Sequence, residues 1–397
     1  MTFKVIFWAL IVILFYAYTG YAITLFIIVR LKRLLDPVKE DKSNKEFEPE
    51  VCLFVTAYNE KEYIGKKVEN TFNLDYPKEK IQYIWVTDGS DDGTPELLKK
   101  YENIEVFHLP ERRGKMHAMN RGMQFVKKPY VIFSDTNTFL NKDAIREIVA
   151  KFTNAETGCV AGEKRIIESV AEDAAAAGEG LYWKFESWIK KMDSELGSAV
   201  GAVGELFAIR TDLYEQVEED TILDDFIISL RIAQKGYKIA YASSAYAEEA
   251  ASLNIHEELK RKVRIAAGGV QTLIRLKNLL NPFRYGLLTW QYFSHKVLRW
   301  TLAPVSLFLL PLFNLVIVLM QDDQDNYSIY SLLLFLQIIF SVLVFAGMIF
   351  ENKKIRFKGF FLPYYFVLIN FASVRGILRY LLGSQPAGWE KSKRARY

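Results

Sequence analysis

Cysteine is nearly absent from this 397-residue chain, which holds only Cys52 and Cys159. Both fall in strand-like runs, so a disulfide framework is excluded and buried thiols in a reducing compartment are expected. Histidine is equally sparse, with four in the chain. No Cys/His cluster has zinc spacing, which argues against a structural zinc site. His117, His256 and His295 have no partner that the sequence names. Charge of one sign is missing too, because 51 Lys+Arg oppose 47 Asp+Glu for a net +4. No nucleic acid is among the expected partners. Internal repeats are absent, and Ala174 to Ala177 is the single low-complexity tract. The length allows one domain of about 250 residues plus membrane segments.

Long uncharged runs are what the chain has instead. Val5 to Val29 is 25 residues without a charge, and a bilayer needs about 20 apolar residues as helix. A cleaved signal peptide would show a shorter apolar core and a small-residue cleavage site. Arg30, Lys32 and Arg33 follow at once, so the positive-inside rule places the long soluble part in the cytoplasm. Trp300 to Met320 (21 residues) and Asn326 to Phe350 (25 residues) are also uncharged. The acidic stretch 321–325 between them suits the outer face and the basic stretch 352–358 after them suits the inner face, which makes a transmembrane hairpin. Gly359 to Val374 has only 16 uncharged residues, so this third C-terminal segment (359–382) is expected either to span or to re-enter. The expectation is a multi-pass protein of the cell (inner) membrane.

The remaining boundaries follow from composition. Residues 1–33 form an N-terminal transmembrane helix and 34–49 a charged linker with Pro37 and Pro49. Residues 50–283 form an α/β domain, 284–299 an interfacial helix mixing Arg284, Lys296 and Arg299 with Trp290, Tyr292 and Phe293, 300–350 the hairpin, and 383–397 a basic tail. Within the domain, β-like runs at 51–55, 81–86, 104–107 and 130–133 alternate with helical stretches at 63–72, 95–101, 115–126 and 142–152. That alternation implies βαβ units and a mostly parallel, Rossmann-like sheet. Right-handed crossovers then put the loops after each strand on one edge, with Tyr58, Asp88 and Asp135 along it. The stretch 178–209 is amphipathic and aromatic, and the spacing of Leu223, Ile227 and Leu230 predicts a helix over 220–234.

Acidic loops dominate that edge. Val86-Thr87-Asp88-Gly89-Ser90-Asp91-Asp92-Gly93-Thr94 follows one strand, and Ser134-Asp135-Thr136-Asn137-Thr138 follows another. In open α/β sheets ligands bind outside the carboxyl ends of strands. Acidic loops there suit a sugar nucleotide, with one carboxylate reading the base and another holding a divalent metal on the diphosphate. Each loop also has a plainer reading. Asp88-Gly89 and Asp92-Gly93 suit turns, Asp135 suits a helix cap, and Asp224-Asp225 suits a solvated helix face.

In sequence order these residues resemble the family-2 glycosyltransferases of the GT-A fold, over about residues 50 to 270. Thr56-Ala57-Tyr58-Asn59-Glu60 resembles the opening motif. Thr87-Asp88-Gly89-Ser90-x-Asp92-Gly93-Thr94 resembles the second and Gly114-Lys115-x-x-Ala118-x-Asn120 the third. Ser134-Asp135-Thr136-Asn137 resembles the metal-binding Asp-x-Asp. Asp224-Asp225, six residues before Arg231, resembles the acidic pair with its downstream arginine. The resemblance implies a GT-A domain plus transmembrane helices and a nucleotide-sugar-dependent hexosyltransferase. Thr56, Tyr58, Glu60, Asp88 and Lys115 would bind nucleotide: Tyr58 stacking on the base, Asp88 accepting from a uracil N–H, and Lys115 meeting base or phosphate. Asp135 and Asn137 would hold Mg²⁺ or Mn²⁺, and Asp225, beside Asp224, would be the base.

Two departures stand out. Asn137 occupies the place of a second Asp, which lowers the charge at the metal. Processive members carry Gln-x-x-Arg-Trp after the acidic pair, whereas here the nearest match is Arg261-Lys262-Val263-Arg264-Ile265. Arg261 and Arg264 are therefore either acceptor or diphosphate ligands or membrane-surface cations. The expectation is an inverting transferase that moves one sugar from a UDP-sugar donor to a lipid or saccharide acceptor at the cytoplasmic membrane face. The alternative is a processive exopolysaccharide synthase.

Overall fold

The computed structural model describes residues 1–36, 47–167, 174–321, 328–352 and 358–383. Most of the linker, the two charged inter-helix stretches and the basic tail lie outside the described residues. Eight strands form one sheet in the order β3-β2-β1-β4-β7-β6-β8-β5. They are β1 (Val51–Ala57), β2 (Ile81–Asp88), β3 (Glu105–Leu109), β4 (Tyr130–Asp135), β5 (Phe139–Leu140), β6 (Thr157–Ile167), β7 (Leu206–Arg210) and β8 (Lys238–Ala250). β1 pairs in parallel with β2 and β4, β2 with β3, and β6 with β8. β7 runs antiparallel between β4 and β6, and β5 runs antiparallel to β8. The sheet is thus mixed and mostly parallel.

Central strands are apolar on both faces because both faces are covered by helices. The pleat sends Cys52 and Phe54 of β1 to one core and Val51, Leu53 and Val55 to the other. Both cysteines are buried free thiols, as their strand context implied. Helices α3 (Lys61–Phe72), α4 (Thr94–Leu98) and α6 (Ala144–Lys151) cover the second face. Helices α5 (Lys115–Met123) and α8 (Asp224–Gln234) cover the first. Gly122 lets α5 lie close, since a Cβ there would stand 2.4 Å from Phe54 and 2.5 Å from Val86.

Two expected segments differ. The aromatic stretch 178–209 divides into a helix, α7 (Ala174–Leu196), and strand β7. The helix expected over 220–234 begins at Asp224, with Leu223 extended just before it. The acidic pair therefore occupies a first helical turn, where the helix dipole favours negative charge.

The N-terminal apolar run is a single 34-residue helix, Thr2–Leu35. It comprises α1 (Thr2–Phe15), a π-type turn and α2 (Tyr21–Leu35). At 1.5 Å per residue it is about 51 Å long, well over the ~30 Å hydrocarbon core. The excess docks on the domain: the Tyr21 hydroxyl donates to Asp193, Lys32 donates to the Glu195 carbonyl at 2.6 Å, and Arg33 pairs with Glu195.

The domain leads into α9 (Ile255–Arg275), then the short helices α10 (Pro282–Tyr285), α11 (Leu287–Tyr292) and α12 (Leu298–Trp300), then α13 (Leu302–Leu319), α14 (Ile329–Asn352) and α15 (Lys358–Leu381). Four described helices are long and apolar enough to cross a membrane: Thr2–Leu35, Leu302–Leu319, Ile329–Glu351 and Phe360–Leu381. Between Lys358 and Leu381 the chain is one unbroken helix and does not turn back on itself. It lies close along α9, because a Cβ on Gly376 would meet Ala266 at 2.5 Å.

Residues 284–299, expected as an interfacial helix, form α11, a π-type turn over Phe293–Val297 and α12. Gln291, Ser294 and His295 are fully buried and Lys296 is 6% exposed. These four polar residues face the protein interior, whereas Arg284 is exposed.

Candidate active site

Register brings the motif loops together. Thr56 on β1 pairs with Val86 on one side and Asp135 on the other, so the carboxyl ends of β1, β2 and β4 lie side by side. Asp88, at the end of β2, accepts from the backbone N–H of Gly114 at 2.7 Å and of Arg113 at 3.1 Å. This holds the loop that starts α5 and sets Lys115 as its first residue. Lys67 does the same for the next loop, donating to Ser134 Oγ at 2.8 Å and the Thr138 carbonyl at 2.6 Å. The turn carrying Asp135 and Asn137 is thereby pinned from below. Burial pulls the Lys67 ammonium down to about 7.

Lys115 Nζ lies 2.9 Å from Asp135 Oδ1 and 3.0 Å from Asp224 Oδ2. Three motifs separated along the chain meet at this one ammonium. Burial works against its charge, but Asp135 and Asp224 outweigh that and hold its pKa above the ordinary lysine value. The Asp135 carboxyl is raised, chiefly by burial, against the pull of Lys115. Asp225 is pushed up to about 7 by burial, then by Asp224 and Glu205. Lys115 and Lys190 oppose that shift. Asp224 is buried, so the solvated-face reading of the pair does not hold for it.

A cavity of about 810 Å³ opens beside these groups. Tyr58, Glu60, Lys115, Asp135 and Asn137 line one end, and Asp224 and Asp225 face the same space. Thr56 and Asp88 are buried behind the lining. Tyr58 carries the Arg112 guanidinium 4.0 Å from its ring centre. Asp92 serves its turn, accepting from Thr94 N at 2.9 Å and Lys61 N at 3.1 Å.

Arg261 and Arg264 both line the cavity. Arg261 is not a membrane-surface cation: it is buried and ion-paired with Glu179 and Glu258, on whose Oε1 the Tyr365 hydroxyl of α15 also bonds at 3.0 Å. Arg231 points away from the cavity and pairs with Glu218 at 2.6 Å.

For a metal, the available oxygens are the Asp135 carboxylate and the Asn137 amide. Asn137 Nδ2 donates to Glu249 Oε1 at 3.1 Å, which leaves its amide oxygen on the other side. Among the described residues no three of His, Cys, Asp and Glu gather to hold a metal. That donor set fits Mg²⁺ or Mn²⁺ held by one or two protein oxygens and completed by substrate phosphates. It does not form an all-protein cage.

Several polar groups in or beside the cavity were not legible as site residues. Lys164 is fully buried between Glu205 and Glu249, with the Trp183 ring centre 5.0 Å away. His295, for which the sequence named no partner, bonds Asp193 Oδ2 through Nδ1 at 2.7 Å and Glu186 Oε1 through Nε2 at 3.1 Å. The signal available was spacing: Tyr182, Glu186 and Lys190 recur every four residues, as do Tyr292, Lys296 and Trp300.

Residues 52–218 match the family model described as glycosyl transferase family 2. The chain is 28% identical over 235 residues to the poly-beta-1,6-N-acetyl-D-glucosamine synthase of Staphylococcus aureus strain COL, covering 57% of this chain and 56% of that one. It is 26% identical over the same length to the synthase of that name from Staphylococcus epidermidis, again covering 57% and 56%. The chain thus spans about half the length of the curated relatives it matches. A solved mannosyltransferase from Pyrobaculum calidifontis, in complex with GDP-Man and Mn²⁺, superposes with a TM-score of 0.72 at 19% identity, covering 96% of this chain and all of that one. The fold is the GT-A glycosyltransferase fold with added apolar helices. Residues 52–218 are thus similar to a family-2 glycosyltransferase domain.

Proposed function

We propose that the protein is an inverting glycosyltransferase that moves one sugar from a UDP-sugar to a membrane-associated, lipid-linked acceptor at the cytoplasmic face. The observation that carries this is Asp225. It is a carboxyl pushed up to about 7, it lines a cavity that also holds the strand-end motifs, and that cavity reaches Tyr18 and Ile369 of the apolar helices. A base poised near neutrality suits removal of a proton from an acceptor hydroxyl. The acceptor oxygen forms its bond to the anomeric carbon while the bond to the diphosphate breaks, and the proton passes to Asp225. Lys115 puts a fixed positive charge where negative charge develops on the leaving diphosphate. A divalent ion held by Asp135 and Asn137 would add Lewis-acid stabilisation there. Tyr58 would stack on the base. Asp88 would steady the loop before Lys115 while its remaining lone pairs meet the uracil N–H.

The orientation rests on two features. Arg30, Lys32 and Arg33 follow the apolar run, and Lys32 and Arg33 bind the domain itself. The positive-inside rule then puts the domain in the cytoplasm.

A second reading, polymer synthesis, is favoured by the names of the staphylococcal relatives. Against it stands the missing Gln-x-x-Arg-Trp. The test is nucleoside diphosphate release by the full chain in detergent with Mn²⁺, scanning UDP-sugars and GDP-Man with a native lipid extract. Lipid-dependent release from one UDP-sugar, lost in Asp225→Asn, is expected. The size of the labelled product separates one sugar from a polymer. No turnover of any nucleotide sugar would sink the transferase reading.

A further inference from the structure

Beyond Asp225 the cavity turns cationic toward the apolar helices. Lys190, on α7, is 4% exposed and donates to the Ala202 carbonyl at 3.0 Å, close enough to Asp225 to influence it. Lys296 is 6% exposed and pairs with Glu186, and Arg299 reaches the same carboxylate at 3.3 Å. The Arg299 guanidinium lies 6.0 Å from the ring centre of Tyr18, whose hydroxyl donates to Asn370 on α15. All three cations line the cavity that holds Asp225 and reaches Tyr18 and Asn370. Lys296 and Arg299 share the single carboxylate Glu186, and among the described residues Lys190 hydrogen-bonds only a backbone carbonyl. The adjacent Asp193 already accepts from Tyr21, Gln291 and His295. Buried positive charge short of counter-charge is costly unless an anion joins it. Burial, together with Lys296, pulls the Lys190 ammonium down to about 8 against the pull of Glu186, Asp225 and Glu205.

We propose that Lys190, Lys296 and Arg299 form a binding site for a phosphate or diphosphate group that links the acceptor's sugar to its lipid tail. This rests on the transferase reading above and names its acceptor class. The tail would leave past the Tyr18–Asn370 pair, the phosphate would sit among the three cations, and the sugar hydroxyl would reach Asp225. The donor diphosphate lies at the opposite end, by Lys115 and Asp135, so the two anions do not compete. Charge-assisted contacts are worth about 1.5–3 kcal/mol each, so loss of each costs roughly tenfold or more in affinity.

The test is equilibrium binding of radiolabelled decaprenyl phosphate to the full chain in detergent, against decaprenol and inorganic phosphate, with UDP–Mn²⁺ affinity measured alongside. Decaprenyl phosphate should bind at least about tenfold more tightly than either comparison probe. The double variant Lys190→Gln/Lys296→Gln should lose at least about tenfold, and Lys190→Arg should keep most of the affinity, with UDP–Mn²⁺ affinity unchanged in all. Equal binding of decaprenol overturns the phosphate site. Equal binding of inorganic phosphate overturns the lipid source, and a parallel fall in UDP affinity in a folded variant assigns the cations to the donor. If the double variant is not folded by its melting profile, Arg299→Gln carries the same expectation. Absence of UDP binding or sugar turnover in the wild-type chain, with decaprenyl phosphate still bound, fails the transferase reading and leaves the anion site standing.

Discussion

Replacing Asp225 by Asn is the sharpest perturbation of the proposed chemistry. The amide keeps the shape of the side chain and removes its basicity. A positioned general base contributes about 10²–10⁴-fold, which at 1.36 kcal/mol per decade is roughly 3–5 kcal/mol of barrier. The kcat of the variant should fall by that factor while its UDP–Mn²⁺ affinity stays within about twofold, since the proposed donor contacts are Tyr58, Lys115 and Asp135. The wild-type pH profile should rise with unit slope below about 7 and level above it, following the Asp225 carboxyl. In Asp224→Asn that limb should move to lower pH, because Asp224 is the nearest charge raising Asp225. Stability should move the other way from activity. The folded carboxyl is raised above its unfolded value of about 3.9, so the folded state holds the extra proton between those values, and the wild type loses stability as pH rises from about 4 through 7. Asp225→Asn should therefore melt higher than wild type at pH 8, by at most about 4 kcal/mol, with the difference vanishing near pH 4. Release assays and melting in detergent read both quantities. Full activity in Asp225→Asn, or an acid limb unmoved in Asp224→Asn, would refute the reasoning.

Three further outcomes are expected. Tyr58→Ala removes the ring that carries Arg112 and would face the base, so donor KM should rise roughly tenfold at nearly constant kcat, in line with about 1–3 kcal/mol for base stacking; an unchanged donor KM would remove Tyr58 from the site. Chelation by EDTA should abolish sugar transfer and weaken UDP binding, with recovery on adding Mn²⁺ or Mg²⁺, because Asp135 and Asn137 need the substrate phosphates to complete an ion's coordination; activity indifferent to EDTA contradicts this. Arg261→Met strands Glu179 and Glu258 without their arginine, and breaking such a buried pair costs about 3–5 kcal/mol, so a clear drop in melting temperature is expected and an unchanged one would show the pair to be dispensable.

The strand-end motifs were legible because their chemistry is local. An apolar run of β period followed by Asp-Gly or Ser-Asp-Thr identifies a strand and the loop after it, and parallel topology then aligns the loops on one edge. Tyr58, Lys115, Asp135 and Asp225 could be named before any coordinates, and they do share one cavity. The apolar runs likewise coincide with helices long and apolar enough to cross a membrane, since that property depends on composition over about 20 residues.

Pairing across distance was decided only by the tertiary structure. Arg261 read either as an acceptor or diphosphate ligand or as a membrane-surface cation, yet Glu179 and Glu258 pair with it inside the protein. Asp88 read as a base reader, yet its oxygens first hold the backbone of residues 113 and 114. His295 is 102 residues from Asp193 and 109 from Glu186, and no local pattern announces such a partner. The first apolar helix, long enough to cross a membrane, also docks on the domain, and only packing shows that its C-terminal part meets α7. Charge in a sequence is a count, whereas the energy of a buried charge depends on what surrounds it. The sequence by itself therefore determined the fold class, because that follows from local period, and it brought forward the strand-end residues as candidates through loop chemistry and a family resemblance. The cationic end near the apolar helices was decided only by the tertiary structure, because it consists of charges that acquire meaning once folding has removed them from water.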